Sequence, residues 1–333
     1  MSWFIPGHFF MFKTKIGSDL EEAQYWLEQG ELVGIPTETV YGLAANGLNP
    51  IAVAKIYAVK QRPQFNPLIL HAASPERIEK FVAGIPEIGF KLMSQFSPGP
   101  LTYLLPKSSL VPEIITAGND RVAVRIPEHP LTLGLLEKLD FPLAAPSANP
   151  SGYVSPVSAT HVLDGLGGKI PYILDGGTCS VGLESTIIGF ENDTAVIHRL
   201  GTVTAEQIRS YSQVKVKISL SHSAPSAPGQ LKSHYATRTP LCCGDINQLL
   251  GKFEGQKIGV LSFTQTYLVG VQKNIVLSKE GKLDEAASNL FNAMRELDSL
   301  ELDIIITEPF PDEGVGLAIN DRLARAAYRV ESE

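Results

Sequence analysis

Cysteine is scarce in this chain of 333 residues: Cys179, Cys242 and Cys243 make no CxxC spacing and no paired framework. That excludes a disulfide scaffold and a thiolate zinc site. Adjacent cysteines pair poorly with each other, so the thiols read as packing residues of a protein in a reducing cytoplasm. No apolar run reaches the roughly 20 residues of a membrane span, which argues against a membrane protein. The opening MSWFIPGHFFMF is apolar, but it has no cationic lead, no long continuous apolar core and no small-residue cleavage site. It reads as a terminal strand or local packing rather than a signal peptide. Several reaction signatures are also missing. There is no GxxxxGK[ST] phosphate loop, no HExxH pair, no GxSxG elbow, and the seven histidines are scattered. GVGLAI, at residues 314–319, has two glycines without the dinucleotide spacing. Cationic excess is missing too: a net charge of -7 argues against a general nucleic-acid binder, although it leaves room for a local basic cleft.

What is present is enough apolar sequence for a large core. Hydrophobic residues make up 44% of the chain and charged residues 19%, and the length favours two domains. LVGIPT reads as a buried strand leaving into a loop. Asn49-Pro50 is a helix start with proline at the first helical position, and Val53, Ile56 and Tyr57 follow at helical spacing. NPLILH, RVAVRIP, FPLAA, YILDGG and STIIGF read as further strands. Strands mixed with helices in this way predict an α/β domain over residues 1–215. Residues 216–240 are then rich in Ser, Ala and Pro, without apolar periodicity, and read as an extended linker. His234 and Tyr235 are unusual in a passive tether. Residues 241–333 read as a second, smaller unit. KIGVLSF and LDIIITEP are strands, and Leu283, Ala286, Ala287, Leu290, Phe291, Met294 and Leu297 form one helical stripe. AINDRLARAA closes the unit as a helix capped near Asn320. The order strand, helix, strand, helix predicts a small parallel, Rossmann-like sheet.

The candidate functional residues sit at strand ends and in loops. PTETVYG offers Thr37, Glu38, Thr39 and Tyr41; KQRPQFN offers Lys60, Arg62 and Asn66. Arg121 and Arg125 lie four apart in one strand and so share a face. PSANPSG adds Ser147, Asn149 and Ser151, LESTII adds Ser185 and Thr186, and HRLG adds Arg199. Hydroxyls, amides and cations of this kind suit binding of phosphates and a carboxylate more than acid–base chemistry. Singly, most have plainer explanations. Cations at a helix end meet the helix dipole, Ser-Ala-Asn before proline is turn chemistry, and His71 after Leu-Ile-Leu is a core histidine. Arg125, flanked by Val and Ile, needs an anion partner in any reading.

Taken together, PTETVYGL, KQRPQFNPLILH, VAVRIPEHP, APSANPSG and ESTII, in this order and spacing, resemble the YrdC-like family of threonylcarbamoyl-AMP synthases. The resemblance covers roughly residues 16–201. The linker segment PGQLKSHYA and the tail GLAINDRLARAA resemble the long, two-domain form of the family. The resemblance implies a twisted, open α/β sheet with a cationic concave face, then a Rossmann-like domain after the linker. It implies that L-threonine, bicarbonate or carbon dioxide, and ATP give threonylcarbamoyl-AMP and pyrophosphate. A separate transferase then modifies adenosine beside the anticodon of tRNA, and weak tRNA binding by the synthase is expected. Magnesium would arrive on the phosphates of ATP, with no dedicated protein metal site. By the same resemblance, Lys60, Arg62, Ser147 and Asn149 are catalytic and face the phosphates. Arg62, Asn66, Arg121, Ser147, Ser155, Arg199 and Tyr235 contact ATP. Thr39, His71, Arg125, the backbone at Ala145, and Ser185 hold threonine. The linker folds over the cleft as a lid, with Tyr235 reaching ATP.

The chain departs from the family pattern at three places: Arg121 stands where threonine is more frequent, Leu200 at a proline position, and Ser233 where the linker more often has arginine. They bear on affinity rather than class. Three rival readings are a relative using another amino acid or a carbamoyl donor, a non-catalytic RNA-binding module of the same fold, and a structural partner protein. The complete Lys-x-Arg and Ser-x-Asn sets and the acidic balance disfavour the RNA-binding module, and an apolar strand arginine without an anion disfavours the structural one.

Overall fold

The computed structural model describes residues 12–220 and 235–327. The opening apolar segment up to residue 11, and most of the expected linker with His234, lie outside the described residues. Eleven strands build the first sheet: β1 (Lys15–Gly17), β2 (Val33–Ile35), β3 (Gly42–Asn46), β4 (Ile69–His71), β5 (Leu101–Pro106), β6 (Arg121–Arg125), β7 (Leu143–Ala144), β8 (Tyr172–Leu174), β9 (Thr186–Glu191), β10 (Thr194–Arg199) and β11 (Lys215–Ile218). Their order is β1-β8-β2-β3-β7-β4-β6-β5-β9-β10-β11, with parallel and antiparallel neighbours mixed. Four more, β12 (Leu241–Cys243), β13 (Ile258–Ser262), β14 (Lys273–Val276) and β15 (Ile304–Thr307), form a second sheet in the order β12-β15-β13-β14. Every pairing there is parallel, as the alternation of strand and helix predicts.

Local chemistry explains the elements that place the site. The helix Pro50–Lys60 starts where the Asn49 side chain accepts from the Ile51 and Ala52 amides, at 3.0 and 3.3 Å. These are two of the donors that a helix start otherwise leaves orphaned. It stops at Gln61, which turns left-handed with φ 52°. The helix therefore delivers Lys60 and Arg62 together at one exit. The stripe expected between Leu283 and Leu297 lies on the helix Leu283–Asp298 and is buried, with Leu283 at its margin. The C-terminal helix differs from the sequence reading. It runs Gly316–Ala327, so Asn320 is inside it and is not its cap. The Asn320 amide instead clamps the preceding loop, accepting from Phe310 N at 2.8 Å and donating to Phe310 O at 2.9 Å. A residue that favours caps is used for a tertiary contact.

The two sheets meet through specific bonds. The Tyr153 hydroxyl donates to Asp298 Oδ2 at 2.7 Å, and the Thr239 amide donates to Asp298 Oδ1 at 2.8 Å. Arg295 donates to the carbonyls of Val154 and Ser155 at 2.5 and 3.2 Å. Ala236 N donates to Gly152 O at 2.8 Å, which seats the end of the linker on a loop of the first domain.

Candidate active site

Sheet register assembles the site. β4 and β6 are parallel with His71 opposite Arg125. β5 runs antiparallel to β6 and parallel to β9, and β10 returns antiparallel to β9. The last residues of β4, β6 and β10 therefore gather with the first residues of β5 and β9. Thr39, Arg62, His71, Arg125, Ala145, Ser147, Ser185, Arg199 and Tyr235 all line one cleft there, together with Thr37 and Glu184. Gly201 permits the close approach of the chain behind Ser185: a Cβ there would stand 2.3 Å from Thr186 N and 2.6 Å from Glu184 O.

Three buried guanidiniums face this cleft: Arg62, Arg125 and Arg199. Burial first, then repulsion from Arg199, brings Arg62 down to about 10. Burial, with Arg322 and Arg125 adding repulsion, brings Arg199 down to about 10. Both remain charged at neutral pH. Arg62 is braced by the carbonyls of Asn66 and Pro67, at 3.2 and 2.8 Å. Arg199 donates to Ser185 Oγ and Ser185 O, both at 3.0 Å, and Ser185 Oγ also meets Thr102 Oγ1 at 2.7 Å. Arg125 has the anion partner its strand setting demands. Its Nη2 donates to Glu38 Oε1 at 2.6 Å and its Nε to Gly99 O at 3.1 Å. The second Glu38 oxygen accepts from the Glu128 amide at 3.0 Å. Glu38 thus fixes the plane of the fork.

Other expected residues lie elsewhere. Lys60 does not line the cleft: it is fully buried beneath the Ser147–Asn149 loop, where its ammonium donates to Ser147 O at 2.5 Å and to Asn149 O. Burial, then Arg62, holds it well below the ordinary lysine value. In this structure Lys60 props the loop whose Ser147 does line the cleft. Asn149 lies behind the loop, donating to Pro150 O and Tyr153 O at 2.9 and 2.8 Å. Ser155 donates to Glu184 Oε1 at 2.5 Å rather than lining the cleft. Asn66 is fully buried; its backbone N–H donates to Pro63 O at 3.1 Å, but its side-chain Nδ2 and Oδ1 have no partner among the described residues. Arg121 lies apart from the cleft residues. It shares a face with Arg125, but it begins β6 opposite Pro106, while Arg125 ends the strand. Four residues of strand are about 13 Å, and Arg121 borders a separate groove with Phe190 and Asn192.

The sequence reading assigned no role to Glu38, Glu184 or Arg322. Arg322 carries the one signal that was readable, because it sits on the same helical stripe as Ala318, Ile319, Leu323 and Ala326, all buried. A charged residue in an apolar stripe needs a partner; Arg322 has Glu184 at 3.0 Å.

His71 is held neutral. Burial, then Arg125, brings it down to about 3, and its Nδ1 has no partner among the described residues. An unfolded histidine titrates near 6.5, so below that pH the unfolded chain takes up a proton that the folded chain refuses. Stability from this group is complete above about 6.5 and falls towards about 3, with roughly 2 kcal/mol lost at pH 5. His161 and His198, also lowered by burial, lose stability over the same range, so urea unfolding at pH 7 and pH 5 should show a loss about 2 kcal/mol larger in the wild type than in His71→Asn; equal losses in the two would refute the burial argument.

Fold and cleft define a two-domain α/β protein with a buried, arginine-lined pocket. Comparisons with known proteins give the family. A family model for Sua5, YciO and YrdC proteins, described as "Telomere recombination", matches residues 26–201. A second, "Threonylcarbamoyl-AMP synthase, C-terminal domain", matches residues 203–328. The chain is 40% identical over 322 residues to the threonylcarbamoyl-AMP synthase of Bacillus subtilis, covering 92% of each. It is 40% identical over 321 residues to that of Pyrococcus abyssi, covering 92% of this chain and 93% of the relative. The crystal structure of P. abyssi Sua5 complexed with L-threonine superposes with a TM-score of 0.88 at 38% identity, over 95% of this chain and 97% of that one. The chain belongs to the threonylcarbamoyl-AMP synthase family, in its two-domain form.

Proposed function

We infer that this chain condenses L-threonine, bicarbonate or carbon dioxide, and ATP into threonylcarbamoyl-AMP, releasing pyrophosphate. The observation that carries the reading is the convergence of Arg62, Arg125 and Arg199 on one buried cleft in a chain of net charge -7. Like charges gathered out of water are costly unless an anion joins them. Glu38 offsets the charge of Arg125 in part, and we assign the remaining cationic excess of the cleft to a polyphosphate and an amino-acid carboxylate. We assign the carboxylate to Arg125, whose fork Glu38 holds in plane, with His71, Thr39, Ser185 and the Ala145 backbone around the rest of threonine. We assign the phosphates to Arg62, Arg199 and the Ser147 loop, with Tyr235 beside the nucleotide.

The threonine amino group, once carboxylated, is a carbamate. Its oxygen attacks the α-phosphorus of ATP, an oxygen–phosphorus bond forms, and the bond to the pyrophosphate leaving group breaks. An anion attacking a polyanion is helped by charge neutralisation and alignment more than by a proton shuttle. This cleft, rich in fixed cations and hydroxyls with a neutral histidine, is suited to that work. Among the described residues no cluster of three or more His, Cys, Asp or Glu is arranged for a metal. Glu38 and Glu184 are each engaged by an arginine. We assign Mg2+ to the ATP phosphates, as part of the substrate.

The product is an acyl-adenylate anhydride, to be consumed by a separate transferase acting on tRNA. We place the reaction in the cytoplasm, with weak tRNA contact by this chain as a secondary expectation. Purified protein should release pyrophosphate from Mg-ATP only when threonine and bicarbonate are both present. Serine, lacking one methyl, should be used about 10–200-fold less efficiently, and valine, lacking the hydroxyl, should be rejected more strongly. Release that ignores bicarbonate in carbon-dioxide-depleted buffer would point instead to simple aminoacyl adenylation.

A further inference from the structure

One wall of the cleft depends on a side chain from the second domain. Arg322, on the helix Gly316–Ala327, is fully buried. Its Nε donates to Glu184 Oε2 at 3.0 Å, its Nη2 to Leu200 O at 2.8 Å and its Nη1 to Asp321 Oδ2 at 2.8 Å. Its guanidinium carbon stands 5.2 Å from the centroid of the Tyr235 ring, within the range of a cation–π contact. On the same ring stacks Phe291, also from the second domain, with centroids 5.4 Å apart and planes at 23°. Glu184 and Tyr235 both line the cleft, and Leu200 directly follows Arg199, which lines it too. One guanidinium therefore touches the ESTII segment, the exit of β10 and the first residue after the undescribed part of the linker.

Tyr235 adopts φ 66°, in the left-handed region that residues with a Cβ avoid. Its own backbone preference does not keep it there, so its neighbours must. A planar fork with several fixed N–H directions can tie three elements at once, which the point charge of a lysine cannot do.

We propose that Arg322 is a positioning residue through which the C-terminal domain sets the geometry of the nucleotide end of the cleft, by clamping Glu184 and Tyr235. The inference rests on the reading of this cleft as the ATP site. Arg322 itself does not touch substrate. It acts through Tyr235 and Glu184, so its loss weakens ATP more than threonine.

The test uses the full chain as wild type, Arg322→Lys, Arg322→Gln, and the double variant Glu184→Gln/Arg322→Gln. Equilibrium ATP binding, the separate KM values for ATP and threonine from pyrophosphate release, and thermal unfolding are measured for each. Both single variants should weaken ATP binding and raise the ATP KM about tenfold, the size expected for losing a buried cation–π contact and its ion pair. The threonine KM should rise clearly less than the ATP KM: Ser185 adjoins Glu184 and will feel the change, but Arg125 and His71 stand on other strands. The double variant no longer buries a carboxylate stripped of its Arg322 partner, so it should regain melting temperature over Arg322→Gln while ATP stays weak. Equal changes in both KM values would overturn the proposal. So would a loss of kcat alone that follows the folded fraction, or a double variant that regains ATP affinity along with stability. Wild-type protein that binds ATP but releases no pyrophosphate under any condition would refute the reading of the reaction. The ATP-binding comparison would still judge the clamp separately.

Discussion

Replacing Arg125 with lysine raises the threonine KM about 100-fold and leaves the ATP KM within about twofold. The magnitude follows from geometry. A guanidinium held at Nη2 by Glu38 and at Nε by Gly99 O presents a fixed edge to a carboxylate. A lysine ammonium keeps the charge, and so keeps Glu38 compensated, but it cannot hold two carboxylate oxygens in a plane. Charge-assisted bonds of this kind are worth about 1.5–3 kcal/mol, which brackets the expected loss. Alanine is the wrong substitution at this position. It would leave Glu38, 4% exposed, as a buried charge without its partner, at a cost of about 3–5 kcal/mol in stability. Steady-state kinetics with threonine varied at saturating ATP checks the prediction. A threonine KM unchanged in Arg125→Lys would remove Arg125 from the amino-acid site.

Lys60→Met should lower kcat about 100-fold or more while threonine affinity changes little. Lys60 is not expected to touch phosphate. It donates to the carbonyls of Ser147 and Asn149 from below, so the loop keeps its shape around a buried amino group. Methionine fills similar volume without the two bonds. The freed carbonyls have to find new donors, at about 1–3 kcal/mol, and the simplest way is for the loop to move. A shift of about 1 Å in a group aligned with the reacting phosphate can cost two orders of magnitude in rate. Single-turnover measurement separates this from a change in binding. A Lys60→Met enzyme within about threefold of wild-type kcat would show that the loop holds its shape without the lysine.

Much of this arrangement is legible in the sequence, and the exceptions share one cause. Asn49-Pro50 announces its helix because capping is settled by atoms two and three residues away. β4, β6, β9, β13 and β15 are legible as apolar runs between turn residues, and the Leu283–Asp298 helix as a stripe. The residues that line the cleft follow from motif order. What stays hidden is who pairs with whom across the chain. Arg125 plainly needs an anion, but that anion is Glu38, in a separate loop. Lys60 looks like a phosphate ligand at a helix exit, and only the fold places two carbonyls around it. Arg121 shares the face of Arg125, and its place at the opposite end of β6 comes only with the fold. Asn320 has the chemistry of a cap and is used to hold a loop. Local periodicity tells which face a residue occupies; distance along a strand and tertiary hydrogen bonds come from packing.

If the cleft adenylates a carbamate, the carbon of bicarbonate ends between threonine and AMP. Mass spectrometry of the rapidly quenched product formed from 13C-bicarbonate, threonine and Mg-ATP reads this directly. The expected species has the mass of threonine, one carbon dioxide and an adenylate, shifted by about one mass unit per labelled carbon, and it forms together with pyrophosphate. A product containing threonine and AMP without the labelled carbon, or ATP consumed with no threonine adduct, would contradict carbamate adenylation at this site.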